Sequence, residues 1–214
     1  MTDTLVQLTA KLQALLLGDV TTFSVATCTA AIRQALKDLN INVPMHAGEL
    51  VTANSGEYEY ELADGGALDI VDVLRQGTDA YNDFNRSLAF DFYFEDDRPF
   101  FRLQNPEGST STLIVRYTKP YTINGLDSQT VSTLPAFYDA VLLDGAAWRA
   151  CLVRAAGRIE TINMNANVSA NFSKMAETFK TMFEEGIAFL NRRRFPSSLP
   201  VLGGGWQDEW SGHR

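Results

Sequence analysis

Histidine and cysteine are scarce in this chain of 214 residues, with two of each. His46 follows Pro44 in an expected loop and His213 is penultimate. Neither has a neighbouring Cys, His or Asp at metal-ligand spacing. Both read as ordinary exposed histidines, and no metal site is expected. Cys28 and Cys151 each fall in an apolar helical pattern. They are expected as reduced core thiols, since a disulfide framework needs more cysteines and an oxidising compartment. No apolar run reaches the ~18 residues that span a bilayer. The first residues have an apolar stripe with no basic stretch ahead of it, so no signal peptide is expected. Positive charge is also short: the net charge is −8. A sequence-reading nucleic-acid binder would carry a basic face. No Gly-x-Gly-x-x-Gly, phosphate-binding Gly-x-x-x-x-Gly-Lys or Gly-x-Ser-x-Gly motif occurs. Gly203-Gly204-Gly205 leads into no Lys-bearing helix and reads as a hinge before an extended arm.

Hydrophobic residues make up 45% of the chain, enough for a proper core. The charge is uneven: residues 48–118 hold fourteen Asp or Glu against five Arg or Lys, a net −9. The spacing predicts helix, then strand, then helix. Leu5, Leu8, Leu12, Leu15 and Leu16 share a helical face over 5–17, with Thr4 as cap and Gly18 as stop. Val25, Cys28, Ile32, Leu36 and Leu39 make a stripe over 25–40, opened by Ser24 and ended before Pro44. From 57 the period becomes two. Strands are expected over 57–62, 67–75, 88–94, 100–103 and 112–117, as a meander of about five. Asp64-Gly65-Gly66, Asp96-Asp97-Arg98-Pro99 and Asn105-Pro106-Glu107-Gly108 are expected turns, and 76–87 a polar loop. A helix capped by Thr133, with Pro135 in its first turn, is expected to about 160. A last helix runs from near Ser169 to Arg194.

Candidate chemistry is sparse. Glu57, Glu59 and Glu61 lie on one strand face, and Glu95-Asp96-Asp97 form an acidic run. A glycosidase pair or a calcium loop would use carboxylates, but nothing in this spacing selects either. A solvated strand face and polar turn fit better. Phe90, Phe92, Phe94, Phe100 and Phe101 resemble a base-stacking platform only superficially. Acids rather than bases surround them, which favours core packing. Arg192, Arg193 and Arg194 are the one dense basic cluster. They suit a helix C-terminus or an acidic partner surface.

Three segments give the chain a recognisable layout. The first is Phe23-Ser24 leading into Ala30-Ala31-Ile32-Arg33-Gln34-Ala35-Leu36-Lys37-Asp38-Leu39-Asn40 and then Pro44. The second is Leu134-Pro135-Ala136-Phe137-Tyr138 through Asp144-Gly145-Ala146-Ala147-Trp148. The third is the closing helix, Phe172 to Leu190. Together they resemble the head-to-tail adaptor (connector, head-completion) proteins of tailed bacteriophages, in both helical parts. The strands depart from the smallest, nearly all-helical adaptors and look more like the larger ones with an inserted β domain.

The resemblance implies a homo-oligomeric ring, most often of twelve copies, docked beneath the portal protein. Such a ring joins the DNA-filled head to the tail or the next neck protein. It passes double-stranded DNA without reading its sequence. The location implied is the virion neck, with host cytoplasm during assembly. The implied portal-binding residues are Arg192, Arg193, Arg194, Phe195, Leu199, Val201, Leu202, Trp206 and Trp210, since Trp is typical of interface hot spots. The expected fold class is α+β: an antiparallel helical bundle built from both chain ends (1–47 and 132–194), an inserted antiparallel β-meander domain (48–131) and an extended C-terminal arm (195–214). No catalytic residues, cofactor or membrane contact are expected. The alternatives are a tail-completion or stopper neck protein, or a carbohydrate-binding or hydrolytic accessory domain on the meander.

Overall fold

A computed structural model describes residues 3–16, 23–76, 86–159 and 166–194. The chain is mixed α/β, with four α-helices and two small antiparallel sheets among these residues. It divides into two compact units, Met1–Val43 with Thr122–Arg214, and Pro44–Tyr121. The expected junctions at 47/48 and 131/132 lie some residues away from these. Residues 122–131 fall with the helices for a visible reason. Thr122 N–H donates to Thr133 Oγ1 at 2.8 Å, Asn124 N–H donates to Ser132 Oγ at 2.9 Å, and Leu5 N–H donates to the Asn124 carbonyl at 2.9 Å. Thr133 is therefore spent on this loop and is not a helix cap.

In the first unit, α1 spans Leu5–Leu15 and opens on a reciprocal cap between Thr4 and Gln7. It buries Leu8 and Leu12. The second helix, α2, spans Val25–Asn42 and starts where Ser24 Oγ accepts from the Thr27 N–H. Its buried stripe is Cys28, Ile32, Leu36 and Leu39, with Ala31 and Ala35 between. A 3-10 turn at Ala136–Tyr138 leads into α3, Asp139–Ile159. The last helix, α4, spans Ala166–Arg194, three residues earlier at its start than the spacing predicts. Helix α3 packs against each of the other three.

Two glycines set how closely α3 and α4 approach. A Cβ on Gly145 of α3 would lie 2.8 Å from two ring carbons of Phe183 on α4. A Cβ on Gly186 of α4 would lie 2.8 and 2.9 Å from the two methyls of Val141 on α3. Each helix thus offers a notch to a large side chain of the other. Phe183 is buried there and its ring packs against Trp148, with centroids 6.1 Å apart.

Among the described residues, the second unit holds seven strands. They are β1 Met45–Ala53, β2 Glu59–Glu61, β3 Asp69–Arg75, β4 Arg86–Ser87, β5 Phe90–Glu95, β6 Arg98–Leu103 and β7 Ser111–Lys119. One sheet has the order β1-β7-β3-β4 and the other β2-β6-β5. This corrects the expected five-strand meander, because the first strand pairs with the last. Strand β1 escapes the sequence reading because Met45-His46-Ala47-Gly48-Glu49 contains no β-branched or aromatic residue. Its exposure nevertheless alternates along the whole strand. His46 is an exposed strand residue and not a loop residue.

Both sheets line a single core. Ile70 and Val73 of β3 and Leu113, Val115 and Tyr117 of β7 meet Tyr60, Phe101 and Leu103 of the other sheet. The β5–β6 hairpin closes on Asp96 and Asp97, with φ of 49° and 61°. Two left-handed residues in a two-residue loop match the right-handed twist of the strands, and Asp tolerates that region better than most. At Asp64-Gly65-Gly66, Asp64 accepts from Lys119 Nζ at 2.8 Å, from Tyr117 Oη at 3.0 Å and from Gly66 N–H at 3.0 Å. The Lys119 hydrogen bond foremost holds the Asp64 carboxyl below its ordinary value.

Filling the α4 notch tests the helix contact. Gly186→Ala should destabilise the protein by about 1–3 kcal/mol, because stiff Val141 cannot yield, even though alanine favours helix. Adding Val141→Ala should recover part of the loss. Chemical denaturation of the three variants measures it, and an unchanged or raised stability of Gly186→Ala would refute the notch.

Candidate functional site

The basic cluster lies on the last turn of α4. Arg192 is exposed and its Nε donates to the Ala188 carbonyl at 3.4 Å, against the helix's own backbone. The helix continues through Arg193 and Arg194. Phe195, Leu199, Val201, Leu202, Trp206, Trp210 and His213 lie outside the described residues. Of the nine expected portal-binding residues, the structure therefore places only the three arginines, together at the terminus of the longest helix. Cationic side chains there complement the negative end of the helix dipole.

Of the carboxylates singled out from sequence, Glu59, Glu61 and Glu95 face outward on the β2-β6-β5 sheet, while Glu57 precedes β2 and Asp96 and Asp97 form the β5–β6 turn. Glu61 Oε1 lies 3.2 Å from Arg98 Nη1, and Glu59 Oε1 lies 3.9 Å from Arg102 Nη1. Strand register sets Asp91 opposite Arg102 and Glu95 opposite Arg98. The two arginines of β6 thus run between two acidic rows, one on each neighbouring strand. Tyr93 and Phe100 stack at the centre of this face, with centroids 5.9 Å apart. These side chains form a cross-strand ladder, whose pairs each contribute a fraction of a kcal/mol when exposed. Of the five phenylalanines, Phe101 is fully buried, Phe90, Phe92 and Phe100 are half-buried, and Phe94 is 54% exposed. Phe101, Phe90 and Phe92 pack in the core as the sequence suggests, whereas Phe100 lies on the outward face against Tyr93 and Phe94 is exposed.

Sequence reasoning missed two polar constellations in the helical unit. In the first, Arg149 of α3 reaches Asp38 of α2 with Nη2 to Oδ2 at 2.6 Å. Its guanidinium also stacks on Trp148, 4.0 Å from the ring centroid, while Lys180 Nζ lies 5.8 Å from it. Asp38, Trp148 and Arg149 line a groove of about 400 Å³ together with Ile41, Asn42, Phe183, Glu184 and Ile187. The second joins Asp3, Lys11 and Asp139. Lys11 Nζ bonds Asp3 and lies 3.9 Å from Asp139 Oδ2. Asp139 is buried and shares a hydrogen bond with Asp3. Burial, then Asp3, raises the Asp139 pKa to about 6. The Lys11 hydrogen bond foremost lowers that of Asp3. Both constellations join residues over a hundred positions apart, so no local pattern betrays them.

In the β unit, Arg75 Nη1 lies 3.3 Å from the buried carboxylate of Glu107. They border a polar cleft of about 430 Å³ with Ser87, Ala89 and Asn105. Cys28 and Cys151 are fully buried, and burial raises both thiols, Cys151 to about 11. Thiols so placed are poor nucleophiles. Among the described residues, no three His, Cys, Asp or Glu side chains gather as a metal site. No helix there is long and apolar enough to cross a membrane. Compared with known families and with curated proteins, the sequence matches no family model and no curated protein.

The Asp139 pKa has a consequence for stability. Between the ordinary aspartate pKa and about 6, the folded chain holds a proton that the unfolded chain releases. The stability contributed is therefore present at low pH and lost as pH rises through about 6. Asp3 acts in the opposite sense, at lower pH. Asp139→Asn keeps a neutral partner for Asp3 and should flatten the fall in stability between pH 4.5 and 7 by roughly 1–2 kcal/mol. Thermal melts across that range measure it; a parent-like slope in the variant would rule the assignment out.

Proposed function

We propose that this protein is a non-enzymatic structural adaptor of a tailed phage, forming a ring beneath the portal that links the head to the tail or next neck protein and lines the DNA exit channel. The observation that carries the reading is the architecture. One compact unit is made from both ends of the chain, and a compact β unit is inserted between them. That is the layout of the larger adaptors the sequence resembles. In this reading the four helices form the antiparallel bundle, and residues 195–214 extend from α4 as an arm. The portal is the partner of Arg192, Arg193, Arg194 and the apolar and Trp positions of the arm.

Two physical features support it. Within residues 48–118, which carry a net −9, Glu59, Glu61, Asp91 and Glu95 are exposed on an outward strand face and Asp96 and Asp97 at a turn. An acidic surface repels phosphate, so DNA passes such a ring without adhering. The arginines stand at the end of α4 immediately before the arm, where long-range attraction to an acidic partner would orient the arm before its apolar residues dock.

Removing residues 195–214 should abolish co-sedimentation with the cognate portal, with an apparent affinity loss of at least a hundredfold. The melting temperature and circular dichroism should stay unchanged. A truncated chain that still binds the portal would refute the arm's role. A full-length chain that ignores the portal would refute the adaptor reading itself.

A further inference from the structure

The polar cleft of the β unit, about 430 Å³, lies between two segments whose backbones are tied down. One is the link from β4 to β5. There Leu88 N–H donates to the Val73 carbonyl at 2.8 Å, and the Ala89 carbonyl accepts from Gln104 N–H at 3.0 Å. The other is the turn from β6 to β7. There the Glu107 carbonyl accepts from Gly56 N–H at 3.0 Å, and the Gly108 carbonyl accepts from Ser55 Oγ at 3.0 Å. These bonds fix both walls without using the polar side chains of the cleft. Its volume falls in the ~300–1,000 Å³ range of small-molecule sites.

Those side chains are short of partners. The Glu107 side chain is only 7% exposed, against 41% for Arg75. Their 3.3 Å approach is an ion contact, and no described residue donates a hydrogen bond to the Glu107 carboxylate. An ionised carboxylate has about four acceptor sites, and buried ones are ordinarily filled. Asn105 is exposed, and no described residue bonds its amide. Ser87 Oγ donates to Asp72 Oδ1 at 2.8 Å and keeps its lone pairs. Donors and acceptors therefore stand side by side, unspent, around one space.

Charge selects the class of ligand. Arg75 and Glu107 are the only charged side chains lining the cleft, and they cancel. A cation drawn to Glu107 meets Arg75 beside it, and an anion drawn to Arg75 meets Glu107. A neutral ligand whose hydroxyls both donate and accept uses both groups without that conflict. Adjacent hydroxyls of a sugar ring have this character: one donates to the carboxylate while its neighbour accepts from the guanidinium. Leu88 and Pro106 add apolar surface for the C–H groups of such a ring. Glu107 is the one carboxylate of the lining, whereas glycoside hydrolysis ordinarily uses two.

We propose that this cleft binds a sugar unit without cleaving it, with Glu107 accepting hydrogen bonds from its hydroxyls and Arg75 and Asn105 donating to them. A few hydrogen bonds and no aromatic face put the dissociation constant on the order of millimolar. The site belongs to the β unit alone and does not rest on the ring reading above.

The test is ligand-observed saturation-transfer NMR on the full chain, with glucose, galactose, mannose and N-acetylglucosamine as probes. At least one should receive saturation, with a signal that levels off at millimolar concentration. Comparing glucose with maltose, and galactose with lactose, separates a free sugar from a glycan chain as the source. Methylammonium and inorganic phosphate at the same concentration should leave the signal unchanged. Glu107→Gln should weaken binding by about tenfold or more, and Asn105→Ala by roughly threefold. Asn105 is exposed, so its variant should keep the parent melting temperature and decides the matter if Glu107→Gln does not fold. Three outcomes overturn the site: no saturation of any probe, displacement of the sugar by methylammonium or phosphate, or parent-like binding by the folded variants.

Discussion

Pairing of β1 with β7 is the constraint on which the architecture depends. It sets Met45 opposite Lys119 and carries the register inward without a break. The chain therefore enters and leaves the β unit on adjacent strands, however much it winds between them. A unit whose ends meet can be inserted into another without pulling apart the halves it interrupts. That is how residues before Val43 and after Thr122 make one compact helical unit. At this same Met45–Lys119 end the ladder is reinforced by Asp64, which gathers Tyr117, Lys119 and the 64–66 turn.

The helices were the legible part of the sequence. Thr4 and Ser24 sit where helix caps belong, and the stripes of α1 and α2 point into the core as their spacing says, except for Leu15 and Val25, which are exposed. Strand β5 and the Asp96-Asp97 turn were legible for a like reason, since alternating phenylalanines have one way to pack on a pleat. Strand β1 was not legible, because its alternation is carried by small and polar residues whose burial only the finished sheet supplies. Topology was hidden too. A run of strands separated by turns reads as a meander unless something local marks that the first will meet the last. The glycines of α3 and α4 look like weak points of a helix until Phe183 and Val141 are seen to fill the space above them.

Charge is where sequence and structure together say most. Read along the chain, the acids of residues 48–118 suggested a site of chemistry or a solvated face. Placed on strands, Glu59, Glu61, Asp91 and Glu95 flank Arg98 and Arg102 in ordered rows. The polar groups that the sequence did not flag, Arg149 with Asp38 and Asp139 with Asp3, lie between helices and serve packing and proton balance.

The ring at a portal is the central claim, and electron microscopy of the full chain mixed with its cognate portal tests it most directly. The account predicts rotationally symmetric particles in which a closed ring of this chain, twelve copies in the arrangement the resemblance implies, caps one face of the portal. Bare portals alongside unassembled chain, at concentrations where both are intact, would contradict it.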